Sequence, residues 1–214
     1  MAIPTSGSIS FSDFHYEPPP SNPAQGRIVL FYFPSGTSYR GDFQVEKFRK
    51  QDSFSPQSFS DMWTFEADND GWEGCVSNDT NITNAQANYD TLPFTSILNG
   101  TSTHRWNRDS YGTGSGGTGI SMNTWGIYAE TSSGSNKCFI ARSPSFDLGA
   151  LASTGAPSYL RSMEAYFGMY GSNIGTVYVY HYSDDGTSIE SLNTRSGSTT
   201  SLVVVDLMID FLDA

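Results

Sequence analysis

Three carboxylates in one short stretch, Glu66, Asp68 and Asp70, with the amide of Asn69 among them, carry the clearest potential for chemistry in the sequence. Closely spaced oxygen donors are what a hard cation such as calcium selects, because it fills its coordination shell with oxygens. No glutamate stands at the twelfth position of an EF-hand-type loop, which excludes that particular site. The same residues also read as a solvated Asx-type turn, in which the side chains serve the local backbone instead of a metal. A structural calcium at Glu66, Asp68 and Asp70 is the one cofactor expectation; no other cofactor is expected.

Other chemistry is thinly represented. Hydrolysis of a glycosidic bond needs two carboxylates facing each other across roughly 5–10 Å; Glu130 and Glu164 lie on candidate strands, but neither sits in a dense acidic motif. His15, His104 and His181 each lack a second histidine or cysteine at ligand spacing, so they read as packed or surface residues. The tract GTGSGGTG at 112–119 has no following lysine and no strand-to-helix context, so it is a loop and not a phosphate cradle. No G-x-S-x-G elbow occurs. Cys75 and Cys138 permit one intramolecular disulfide, and reduced buried thiols are the alternative. These absences predict a protein that is not an enzyme.

The stretch that must position the rest is Ser158 to Tyr182, two alternating runs separated by Gly-Ser-Asn-Ile-Gly. Met163, Ala165, Phe167 and Met169 fall on one face of the first run, and Val177 and Val179 on one face of the second, the period of two of half-buried strands. Read locally, the pair predicts a long β-hairpin. The opposite face is a tyrosine row containing Tyr166, Tyr170, Tyr178, Tyr180 and Tyr182. These rings either serve strand packing or form a stacking platform, with Tyr166, Tyr178 and Tyr180 as candidate ligand-binding residues.

Composition agrees with a β protein. Glycine at 21, phenylalanine at 14 and tyrosine at 12, with only 15% charged residues, favour strands and turns, and no convincing amphipathic helix is read. The 22 acids against 11 bases give a net charge of −11, which repels a phosphate backbone, so nucleic acid is not an expected partner. The basic group Arg40, Lys47, Arg49 and Lys50 is interleaved with Asp42, Glu46 and Asp52 and reads as a solvated or interface-facing stretch. No stretch approaches the roughly 18 apolar residues of a membrane span, so no membrane partner is expected. Asn78, Asn81 and Asn99 open sequon-like triplets that chance explains in so Asn- and Thr-rich a chain.

Several short motifs recur in order. Phe65-Glu66 is followed by Gly71-Trp72, then Trp106-Asn107-Arg108, Thr118-Gly119 and Thr124, Tyr128 and Glu130, Arg142-Ser143-Pro144, and Met163 to Gly171. In that order they resemble the MAM domain, an extracellular adhesion module, over about residues 62–182. The resemblance implies an all-β, antiparallel jelly-roll β-sandwich of concanavalin-like type. The chain departs from the pattern where Met122-Asn123 replaces an Asp-His pair and where the cysteines stand elsewhere, so the family's disulfides do not carry over. After Tyr182 a Ser/Thr/Gly tract leads to LVVVDLMIDFLDA, so the closing strands are expected to be atypical or missing.

Residues 1–61 match little of that pattern and are read as an N-terminal anchoring arm with one or two strands, leaving 62–214 as the sandwich. Within the arm, Ile9, Phe11 and Phe14 are the candidate docking residues, Pro18-Pro19-Pro20 is a stiff spacer, and RIVLFYF at 27–33 is a strand apolar on both faces that calls for a partner's cover. The start lacks a basic region and an apolar core and is not read as a secretory signal. MAIPTSGSISFSDF resembles the opening of bacteriophage tail and other virion proteins. The combined expectation is a virion structural protein, made in the host cytoplasm and exposed on the released particle. It would meet other virion proteins and host-surface carbohydrate; the alternative is a carbohydrate-binding module of a cell surface. An unpaired sandwich edge would further imply a homo-oligomer, a trimer by analogy with phage fibres.

Overall fold

The computed structural model describes residues 25–35, 41–54, 57–100, 104–110, 125–131, 137–147, 160–171, 174–184, 186 and 189–210. Ile9, Phe11 and Phe14, the triple proline, and the glycine tract at 112–119 lie outside the described residues.

The strand RIVLFYF decides the architecture, because a run apolar on both faces must be covered twice. It belongs to β1 (Gln25–Phe33), and the cover is intramolecular. Ile28, Leu30 and Tyr32 face the space between two sheets, while Val29 and Phe31 face a second, smaller apolar cluster outside. The fold is a β-sandwich of two seven-stranded sheets, with one short α-helix among the described residues. The first sheet runs β13 (Ile189–Ser196), β12 (Thr176–Ser183), β1, β9 (Cys138–Arg142), β4 (Glu73–Ser77), β5 (Thr95–Ser96), with β10 (Phe146–Asp147) also on β1. The second runs β14 (Val203–Asp210), β11 (Leu160–Tyr170), β2 (Gly41–Phe54), β8 (Gly126–Thr131), β7 (Trp106–Asp109), β6 (Leu98–Asn99), with β3 (Gln57–Trp63) on β2. All described pairings are antiparallel except β6 with β7.

Four sequence expectations change. The Ser158–Tyr182 stretch is not a hairpin: β11 pairs with β2 and β14, and β12 with β1 and β13, so the two runs belong to opposite sheets. Their apolar faces do meet in one core, but across the sandwich. Alternation specifies which face is buried and is silent about which strand lies alongside. The loop makes this crossing with Ile174 buried in the core and Gly175 at φ +69°, where a Cβ would run into the Phe33 carbonyl.

Nor do residues 25–61 form a separate arm. β1 and β2 stand in the middle of their sheets, paired on both sides, so a boundary at 61/62 would cut through the sandwich. Two closing strands are present, β13 and β14, hydrogen-bonded to β12 and β11, and they form the edges of their sheets. Polar residues of the Ser/Thr tract suit β13 because it is an edge strand with one side open to water. Finally, Ile82–Asn88 is a helix, α1, capped by Asn81, whose side chain accepts from Asn84 N; a seven-residue helix is too short to show a periodicity.

The inner core is aromatic. Trp72 stacks on Phe48 at 5.0 Å and meets Trp63 edge-on at 5.4 Å, and Phe167 meets Phe43 edge-on at 5.1 Å. A β-bulge in β2 lets Phe43, Val45 and Phe48 all reach this core, because the ladder with β11 slips between Val45 and Lys47.

His181 lies at the end of this core, against Phe146 and over Gly26, where a side chain would collide with its imidazole. Burial depresses its pKa from 6.5 to about 4, opposed by Asp184. The unfolded chain therefore takes up a proton that the folded one refuses. Stability from this group is complete above about pH 6.5 and is lost as pH falls toward 4, where the loss reaches about 3 kcal/mol. Urea midpoints for wild type and His181→Gln should converge or cross between pH 7 and 4.5; parallel curves would assign the acid sensitivity to other groups.

Candidate functional site

The opening turn holds Glu66, Asp68 and Asp70, and the three carboxylates do not converge. Among the described residues no group of three acidic, histidine or cysteine side chains is arranged to hold a metal. Asp70 accepts from Thr64 N (2.8 Å) and Phe65 N (2.7 Å), and Asp68 accepts from Asp70 N (2.7 Å). Arg108 ties the backbone of the turn. Its Nε donates to Phe65 O (2.5 Å), Nη2 to Glu66 O (2.6 Å) and Nη1 to Asn99 Oδ1 (2.8 Å), and its guanidinium lies 3.9 Å from the Trp125 ring centre. Burial lowers its pKa, while Asp68 and Asp70 act the other way. The turn needs this tie because Phe65 and Asp70 both adopt positive φ, at 58° and 50°, which costs a non-glycine residue energy.

The tyrosine row is divided by the same crossing that divides the expected hairpin. Tyr166 lies in the second sheet, where Lys47 Nζ sits 5.1 Å from its ring centre and Arg49 Nη1 donates to its hydroxyl (3.4 Å). Arg49 also pairs with Asp61 (3.2 Å) and Glu164 (3.6 Å), and Lys47 with Asp61 (3.6 Å), so these four residues form a surface ion network. Tyr178 and Tyr180 lie in the first sheet, packed edge-on against Phe33 and Phe31 at 5.9 Å each. The three therefore cannot make one platform, and packing accounts for each of them. Glu130 is on β8, opposite Asp42 of β2.

Cys75 and Cys138 stand on adjacent strands, opposite Ile140 and Ser77 respectively, and so are diagonal neighbours on one face. Of the two readings the structure has the second: both thiols are free and buried. Loss of hydration pushes Cys75 up to about 12 and raises Cys138 as well, so both stay protonated and unreactive.

The arrangement that could receive a ligand lies on the outer side of the first sheet. α1 and the 3-10 turn at Tyr89–Thr91 pack over Val29, Phe31, Cys138 and Ile140, and between them and the β12–β13 turn runs a groove of about 460 Å³. Its size falls within the range of small-molecule sites. Tyr89 and Tyr182 form its floor, with ring centres 4.5 Å apart. Arg142 lies near the Tyr89 hydroxyl and Gln86 near that of Tyr182, yet neither hydroxyl makes a hydrogen bond of ordinary geometry. Burial raises the pKa of both phenols, so they remain neutral hydrogen-bonding groups.

The charges around the groove are largely matched. Arg27 Nε meets Asp184 Oδ1 at 3.1 Å, and Ser145 also donates to that carboxylate. Arg142 is held by Glu73 (2.7 Å) and lies 4.0 Å from the Phe94 ring centre. Asp90 and Gln86 on the turn and helix, and the half-exposed Ile189, complete the wall. The groups that line it are phenols, an amide, carboxylates and arginines. Sequence reading reached Tyr182, Arg142 and Arg27 for other reasons and did not join them to Tyr89, Gln86, Asp90 and Asp184. They come from separate stretches with no shared motif.

No known protein family, curated protein or solved structure matches the chain.

Proposed function

We propose that the chain is a structural protein of a bacteriophage virion, in which the sandwich is displayed outward as an adhesion-type module of jelly-roll, concanavalin-like kind. The opening MAIPTSGSISFSDF, with its likeness to virion proteins, supports the location. One observation carries the display role: the groove over β1 and β9 offers phenol, amide and carboxylate groups with its arginines already paired. Such a wall suits the hydroxyls of a host-surface carbohydrate, because neutral donors and acceptors are matched without a charge being stranded.

The location is tested by immunogold labelling of purified particles with an antibody to the purified chain. Gold on the particles is the expected result; gold confined to cell envelopes would favour the cell-surface adhesion module and reject the virion assignment. The ligand is tested by retention on host-surface polysaccharide. Asp90→Ala and Gln86→Ala are each expected to weaken retention roughly five- to tenfold, the equivalent of one ordinary hydrogen bond. Asp90 is exposed and Gln86 partly buried, and neither belongs to the apolar cluster beneath the helix, so folding should be unaffected. Unchanged retention in both would remove the groove from the contact.

A further inference from the structure

A second concavity lies at the side of the sandwich where the chain crosses from β5 in one sheet to β6 in the other. It is a cavity of about 310 Å³ between β4, the Pro93–Leu98 stretch and the start of β7. Trp106 is only 4% exposed, and its indole N–H has no hydrogen-bond partner. A buried donor without an acceptor is costly and uncommon in folded proteins. His104 Nδ1, in the same wall, is also buried and unpaired. Arg105 donates through Nε to Asn107 Oδ1 (2.9 Å) and has no carboxylate partner among the described residues. The described wall contains no acid, in a chain whose net charge is −11. Val76, Pro93, Ile97 and Leu98 add apolar surface to the wall, beside the hydroxyl-bearing Thr95 and Ser96.

We propose that this cavity binds a small organic carboxylate with an apolar body. Arg105 and the Trp106 N–H receive the carboxylate oxygens, and the body lies against Ile97 and its apolar neighbours. A carboxylate satisfies the stranded indole donor and the arginine together, through charge-assisted hydrogen bonds that an alcohol cannot match. An apolar body removes the exposed surface of Leu98 from water.

Benzoate is the probe, benzyl alcohol its uncharged counterpart, and the full chain is titrated with each. The readout is the indole N–H resonance of Trp106, assigned by its loss in Trp106→Phe. Benzoate should shift that resonance saturably in the millimolar range, and benzyl alcohol should bind about tenfold more weakly or less. Arg105→Gln should lower benzoate affinity about tenfold and leave benzyl alcohol unchanged. No saturable shift with benzoate, equal affinity for the two probes, or undiminished benzoate binding by folded Arg105→Gln would each overturn the assignment. Should Arg105→Gln fail to fold, the two-probe comparison on the unaltered chain still decides.

Discussion

Replacing Phe167 with alanine is expected to lower the free energy of unfolding by about 3–5 kcal/mol, and Tyr178→Ala by about 1–2 kcal/mol. Phe167 is fully buried, meets Phe43 and Phe48 edge-on at 5.1 and 6.3 Å, and pairs through its backbone with Val203 of β14. Its removal opens a cavity at the contact between sheets, and the neighbouring strands cannot collapse into it without breaking their ladders. Tyr178 is only partly buried, and its described ring contact is with Phe33 on the outer face. Urea titration of both variants distinguishes them, provided the slope with denaturant is unchanged. Equal losses below about 1 kcal/mol would mean that β11 does not bury its Phe167 face.

Period-two alternation identified the buried faces of β11 and β12 and the need of β1 for two-sided cover, and the structure uses all three in that way. The sequence contained no comparable signal for partner choice. Two alternating runs joined by five residues can fold back as a hairpin or cross between sheets, and the local pattern is the same in both. The decision rests on long-range pairing: β11 finds β2 more than a hundred residues earlier, and β12 finds β1 at a similar distance. The error about the arm has the same origin. β1 and β2 were set apart because they precede the stretch resembling an adhesion module, although β1 has the apolar content of a central strand.

The groove was less legible than the fold. Tyr182 belonged to an alternating row and Arg142 to a strand-end motif, but Tyr89 and Gln86 owe their position to a helix too short to be seen as a period. Arg27 and Asp184 are 157 residues apart and meet only because β1 and β12 are paired in register from Gly26 to Phe33. Binding surfaces built at the ends of strands from several loops leave no linear motif, and physical complementarity becomes visible only after the strands are ordered.

The opening turn gives the second large effect. Arg108→Ala is expected to cost about 3 kcal/mol or more, because the carbonyls of Phe65 and Glu66 and the side chain of Asn99 lose a charged donor at once. Phe65 and Asp70 would then hold left-handed backbone without the contact that offsets its cost. Arg108→Lys should recover only part of the loss, since an ammonium lacks the planar fork that reaches all three acceptors. Calcium supplies an independent discrimination between arginine and metal as the organiser of this turn. If arginine ties it, adding calcium or a chelator leaves the thermal midpoint of the unaltered chain in place, and Arg108→Ala lowers that midpoint whether calcium is present or not. A saturable rise of the midpoint with calcium, abolished in Asp68→Asn with Asp70→Asn, would restore the carboxylates to a cation site. The arginine would then be no more than its neighbour.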